Sequence, residues 1–257
     1  MNPSLDSDSP TVGDRILARG RGSYVLRHAA GAEDIRKAQR LRFEVFNLEM
    51  HEGLSASYAT GLDSDPFDEV CDHLLVEDGA GLVVGTYRLQ TGTTAAAKLG
   101  YYSEQEFDFA PFNGARREIV ELGRACVHAQ HRNLSVLSLL WKGIAAYSRA
   151  HGARYLVGCS SLTSQEPGDG AAMYALFRQK HLTEPAWQTR PQPAYACPMD
   201  RETDPPPRVP KLLGAYLSIG ARICGPPAID REFKTIDFLT FLDLQSLPMQ
   251  IIQKYLT

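Results

Sequence analysis

The sequence predicts an α/β protein with a central sheet and helices on both faces. Two observations carry this. Predicted elements run in the order helix, loop, hairpin, strand, helix, strand, helix, the alternation of layered α/β folds. The 257 residues, 44% hydrophobic with a net charge of −3, suffice for one large domain or one domain plus an appendage.

The elements follow in order. Residues 1–22 are expected to form a disordered tail, because Met1 to Pro10 is rich in Ser, Asp and Pro and lacks a signal-peptide pattern. Glu33 to Glu49 reads as a helix, with Ile35, Ala38, Leu41, Val45 and Leu48 at helical spacing. His51 to Glu69 looks like a long loop, and loops of that length are usually functional or disordered. Asp72 to Glu77 and Leu82 to Leu89 flank the turn Asp78-Gly-Ala-Gly81 as a hairpin. Thr91 to Asn113 is irregular, with a short helix near Glu104, and Arg117 to Val127 reads as a strand. A helix from Leu134 to His151 stops at Gly152. Arg154 to Ser161 is a short buried strand, and Ala171 to Lys180 a helix capped by Asp169. A Pro-rich run from Arg201 to Pro210 separates a core, 23–204, from a C-terminal extension, 205–257, packed on it.

Composition excludes several classes. The five cysteines form no CxxC and lie far apart, which argues against a zinc site or disulfide framework. A near-neutral charge argues against a nucleic-acid binder. No stretch has the roughly 20 apolar residues of a bilayer span, so a cytoplasmic protein is expected. Charge is unevenly placed. Arg27, Arg36, Lys37, Arg40 and Arg42 cluster before the acidic run Asp63, Asp65, Asp68, Glu69 and Asp72. This pattern suits a basic dock for an acidic partner beside an acidic mouth for a cationic substrate, or solvated faces with no further role.

Four pieces in sequence resemble the autoinducer-synthase branch of the GNAT superfamily: Arg42-Phe-Glu-Val-Phe46, Asp65-Pro-Phe-Asp68, Gly85-Thr-Tyr-Arg88-Leu89 and Glu121-Leu-Gly-Arg124. The continuation resembles a sister family more closely, the ornithine N-acyltransferases, often labelled hemolysin-like. It lies in Val120 to His128, Leu139 to Ile144, Tyr155 to Ser160, Pro210 to Leu217, Ala221 to Ala228 and Asp237 to Leu244. The resemblance covers roughly residues 23 to 250 and implies a GNAT-type fold, its central sheet mixed in strand direction. It also implies transfer of a 3-hydroxyacyl group from acyl carrier protein to an amino acid amine, ornithine or a similar one, giving a lyso-ornithine-type lipid. No metal or redox cofactor is implied.

GNAT acetyltransferases hold the coenzyme A pyrophosphate on a glycine-rich loop before the long helix. Here the corresponding run, His131 to Val136, has no glycine. That favours a carrier-bound phosphopantetheine over coenzyme A, although other amides at the helix start can do the same work. Arg132, Asn133, Leu134 and Ser135 are the candidate donor-binding residues, with Cys126 and Val127 of the strand offering backbone amides to the oxyanion.

The amine must lose a proton before attack. Glu121 is the first candidate base, or else a structural partner of Arg124 or Arg88; Asp65 and Asp68 are alternatives. Asp63 and Asp72 are candidates to receive a substrate ammonium, Arg42 and Arg88 its carboxylate, and Phe46 belongs to the same motif. Cys126 and Cys159 read as small hydrophobes rather than nucleophiles. Leu137 to Ile144 and Leu156 to Cys159 form a candidate acyl slot or simply core. Leu212 to Cys224 is a candidate for peripheral membrane contact. A signal synthase using adenosylmethionine, a coenzyme A-dependent acetyltransferase and a non-catalytic lipid-binding protein are the alternatives.

Overall fold

The computed structural model describes residues 16–21 and 23–255. Among them nine strands form one sheet: β1 (Ile16–Arg19), β2 (Val25–His28), β3 (Asp72–Glu77), β4 (Val83–Thr91), β5 (Ile119–Val127), β6 (Tyr155–Leu162), β7 (Arg222–Ile223), β8 (Ala228–Asp230) and β9 (Thr235–Asp243). The spatial order is β1-β2-β3-β4-β5-β6-β9-β7, with β8 also on β9. Only β5 and β6 pair in parallel within this sheet; the other named strand pairs are antiparallel. The helices are α1 (Ala32–Arg42), α2 (Ser57–Thr60), α3 (Gly92–Ala97), α4 (Leu134–Ala150), α5 (Pro167–Arg178), α6 (Lys211–Ser218) and α7 (Met249–Tyr255).

Strand alternation assigns the faces. Leu74, Val76, Tyr87, Leu89 and Val120 pack under α4 with Leu139, Leu140 and Ile144. Leu75, Val83 and Cys126 pack on the other face under α1, against Ala38, Leu41 and Val45. A third cluster joins Tyr101, Phe107, Phe109 and Phe112 of the irregular segment to Val157, Leu239 and Phe241. Helices on both faces of the sheet are what the alternation of elements predicts, and its mixed strand directions are what the resemblance implies.

Several local expectations change. Within the expected tail, Ile16–Arg19 form β1 and pair with β2; residues 1–15 and 22 lie outside the described residues. The first helix relaxes into π-helical turns over Phe43–Glu49. Asp169 sits inside α5, where it accepts a hydrogen bond from Ser164 rather than capping the helix. The expected C-terminal extension supplies β7, β8 and β9, and β9 lies inside the sheet, paired with β6 along its whole length. Leu213, Ala221, Ile223 and Cys224, expected in a membrane-facing stretch, are buried. Among the described residues no helix is long and apolar enough to cross a membrane.

Candidate active site

Two irregularities in the sheet open a site. The parallel pairing of β5 with β6 covers only Ile119 to Glu121 against Tyr155 to Val157. Beyond it the strands part, and the edge of β5 from Leu122 to Val127 has no β6 partner. In the same stretch β5 bulges against β4: Thr86 pairs with Cys126, but Arg88 pairs with Gly123. Arg124 takes up the extra residue at φ +49, a left-handed conformation uncommon outside glycine. The bulge also flips the strand. Val120 packs under α4 and Cys126 under α1, although an unbroken strand would turn both to one face.

A cavity of about 800 Å³ fills the gap. Its lining combines apolar side chains, among them Leu137, Leu140, Trp141, Leu156, Leu213 and Tyr216, with the polar Glu52, Arg88, Ser103, Glu121, Arg124, Asp230 and Asp237. The expected acyl slot thus faces a cavity. Leu212, Leu213 and Tyr216 of α6 are additions to it.

The predicted arginines and aspartates come together beside this cavity, but they pair with one another. Asp65 and Asp68 form a reciprocal cap on the turn Pro66–Glu69, which fixes both carboxylates. Arg42, fully buried, holds Asp68 at 2.5 and 2.9 Å and places its Nε 2.8 Å from Asp63. Arg88 binds Asp65 at 2.6 Å and Asp68 at 2.9 Å. Arg124 binds Asp65 at 2.9 Å and lies between the rings of Tyr102 and Phe233. Three cations thus balance three anions. Burial opposes the charge on Asp65 and Asp68, but the arginines outweigh it and hold both below the usual carboxylate range. That makes them poor proton acceptors. The network is not the open acidic mouth that the sequence suggests, and Arg42 has no exposed face for a substrate carboxylate.

Glu121 lines the cavity at the last paired position of β5. Its carboxylate accepts from Tyr102 N at 2.7 Å, Ser103 N at 2.8 Å and Ser103 Oγ at 2.6 Å. No salt bridge joins it to Arg88 or Arg124, so the pairing considered from sequence is replaced by these neutral donors. Burial pushes its pKa up, against those hydrogen bonds.

On the donor side, Asn133 caps α4 by accepting from Ser135 N at 3.0 Å and Val136 N at 3.1 Å. Arg132 is bidentate to Glu49 at 2.5 and 2.7 Å and donates to the Val127 carbonyl. Leu134 is 80% exposed. Phe46 packs edge-on against Phe233. Asp72 lies elsewhere, accepting from Tyr147 at 2.6 Å beside a separate small pocket with Thr91, Arg117 and His151. Cys126 and Cys159 have thiols pushed upward by burial, the opposite of an activated nucleophile. His73 is lowered to about 4 by burial and by Arg42, so it is neutral at physiological pH.

A second charged group went unread in the sequence. Glu106, Asp230 and Asp237 bring carboxylate oxygens within 4.8 Å of one another, all buried. Glu52 is pushed up to about 7 by burial, with Thr163 donating to it at 2.8 Å. These residues come from three distant segments, around Glu52, around Glu106 and in the β8–β9 hairpin. The one available signal was Asp237, an acid inside the otherwise apolar run Ile236 to Leu239.

The Acetyltransferase (GNAT) domain family matches residues 41–142. An L-ornithine N(alpha)-acyltransferase of Brucella abortus is 32% identical over 95% of this chain and 92% of its own. One of Agrobacterium fabrum is 31% identical over 99% of this chain and 92% of its own. Among solved structures, the AHL synthase LasI superposes with TM-score 0.55 at 12% identity, covering 92% of this chain and 98% of LasI. FeeM, an N-acyl amino acid synthase from uncultured soil microbes, gives 0.53 at 11% identity, covering 87% and 91%. At such identities these two speak to the fold alone. Full-length relatedness above 30% says more: this chain belongs to the L-ornithine N(alpha)-acyltransferase family, and it is an acyltransferase on a GNAT fold.

Proposed function

We propose that the protein transfers a 3-hydroxylated fatty acyl group from acyl carrier protein to the α-amine of L-ornithine, giving a lyso-ornithine-type lipid. The observation that carries this reading is the cavity of about 800 Å³ with many apolar side chains in its lining, far more room than an acetyl group needs. The ornithine N(alpha)-acyltransferase relatives suggest the acceptor.

In this reading the thioester lies along the unpaired edge of β5, where strand-like hydrogen bonds hold its pantetheine amides. Glu121 takes a proton from the ornithine α-ammonium. Its raised pKa makes it a better acceptor than Asp65 or Asp68. The neutral amine attacks the thioester carbon, a C–N bond forms, and the tetrahedral oxyanion rests on amides of the β5 bulge. The C–S bond then breaks, and the thiol leaves with the proton lost by the nitrogen.

Two features support a carrier-bound donor. The run from His131 to Val136 has no glycine, and two amides of the α4 N-terminus are already filled by Asn133. Arg36 and Arg40 are exposed on α1 and Lys37 half-buried, a dock for an acidic carrier. It is smaller than the sequence suggests, because Arg27 is bound by Asp34 and Glu77, and Arg42 is buried. Such a donor implies a cytoplasmic site of action, with the product released at the membrane.

The test is purified protein supplied with 3-hydroxyacyl carrier protein, the matching acyl-CoA, or acetyl-CoA, and with ornithine or adenosylmethionine, read by mass spectrometry. Nα-acylornithine from the carrier donor is expected. Acylhomoserine lactone or N-acetyl product would replace this reading with one of its alternatives. Arg36→Glu with Lys37→Glu should raise KM for the carrier donor and spare acyl-CoA; equal losses would reject the dock.

A further inference from the structure

Glu106, Asp230 and Asp237 have no assigned purpose, and their bonding is incomplete. Asp230 Oδ1 accepts from the amides of Glu232 and Phe233, and one Asp237 oxygen accepts from Thr235 Oγ1 at 3.1 Å. Glu106 and Asp237, only 1% and 4% exposed, lean on each other and Asp237 on Ser161, and with both carboxyls ionised Glu106 Oε1 and Asp237 Oδ1 have no donor. Among the described residues none of the three has an ion-pair partner. Arg124 is the neighbouring cation, and it is committed to Asp65. Buried carboxyls crowded in this way stay partly protonated until a cation joins them.

We propose that these three carboxyls form the subsite for the side-chain ammonium of the acceptor, which makes the enzyme select a diamino acid. The inference rests on the acyl-transfer reading above and deepens it. Asp230 and Asp237 line the same cavity as Glu121. A short chain of contacts links the two points: Ser103 Oγ lies 2.6 Å from Glu121 Oε1 and 3.5 Å from Cys159 Sγ, which lies 3.7 Å from Glu106 Oε2. An amino acid whose α-amine meets Glu121 therefore directs a short side chain toward the cluster, and an ammonium there offers three donors to the unpaired oxygens.

A divalent metal is the competing occupant of such a cluster.

The experiment compares ornithine with norvaline, which matches its carbon chain but lacks the terminal amine, using one fixed acyl donor. In the wild type kcat/KM should favour ornithine by roughly 100-fold or more, because norvaline leaves buried polar groups unpaired. In Asp237→Asn and in Glu106→Gln the ornithine-to-norvaline ratio should fall at least tenfold. Ornithine should also raise the wild-type Tm more than norvaline does, a readout that needs no variant. A wild type that uses both acceptors equally, or variants that keep its ratio, overturn the subsite while leaving ornithine acylation intact. Acylation of neither amino acid overturns the reaction and the subsite together. Activity lost with EDTA and restored by Mn²⁺ overturns the ammonium in favour of a metal ion.

Discussion

Two groups of buried charge lie beside the same cavity, and they are balanced differently. Arg42, Arg88 and Arg124 with Asp63, Asp65 and Asp68 balance one another in charge, three positive against three negative. Glu106, Asp230 and Asp237 are three acids with no cation of their own. The first group carries its own counter-charges and ties α1, the Pro66–Glu69 turn, β4 and β5 together, although Asp63 Oδ1 and Oδ2, Arg42 Nε and Arg124 Nε lack hydrogen-bond partners. In the proposed subsite the second group takes its counter-charge from the substrate. Motif residues in a binding cleft are thus not always the residues that bind; pairing within the chain separates scaffold from recognition.

That contrast can be broken by experiment. Removing a member of the balanced group should be the most damaging change. Arg42→Ala deprives the buried Asp63 of its 2.8 Å partner and leaves Asp68 to Arg88 and Gln39, and should cost about 3–5 kcal/mol in chemical denaturation; a loss under 1 kcal/mol would mean the network is not structural. Glu121→Gln should lower kcat by roughly 10²- to 10⁴-fold with the KM of the acyl donor little changed. A parallel collapse in Tm would instead assign Glu121 to scaffolding.

The balanced network and Glu52, a neighbour of the acid cluster, should also respond oppositely to pH. Carboxyls of the network, held below their usual range, add stability above about pH 4 that is lost as pH falls. Glu52, near the acid cluster, moves from 4.5 to about 7. Between those values the folded protein keeps a proton that the unfolded chain has lost, so stability falls as pH rises through the window. Glu52→Gln should flatten that fall by on the order of 1–3 kcal/mol; an unchanged slope from pH 5 to 8 would refute it. The smallest effect is expected at α4, where Asn133→Ala removes a cap worth about 1 kcal/mol. It also frees two amides, so acyl-CoA use should improve relative to carrier donors if their occupation matters.

The sequence was most informative where function is local. The helix Leu134–Ala150, the hairpin of β3 and β4 and the strand carrying Glu121 follow from periodicity and turn residues within a few positions of one another. The arginine and aspartate motifs correctly marked one cluster, but periodicity cannot show that oppositely charged motifs meet in space and cancel. The acid cluster was illegible for a related reason: Glu106, Asp230 and Asp237 converge only after the aromatic segment folds against β9. Thr235–Asp243 read as tail, because a buried strand inserted late in the chain looks locally like any apolar stretch.

The short parallel seam between β5 and β6 has a further consequence. Among the described residues, three ladder pairs zip the strands β1 to β5 to those of β6 to β9. In the proposed reaction a fatty chain lying in the breach would restore contact between the two half-sheets, making the donor a keystone as well as a reactant. Amide exchange along Leu122 to Val127 and Gly158 to Leu162 should slow when the acylated donor docks and quicken once the lipid departs, coupling the firmness of the fold to the catalytic cycle.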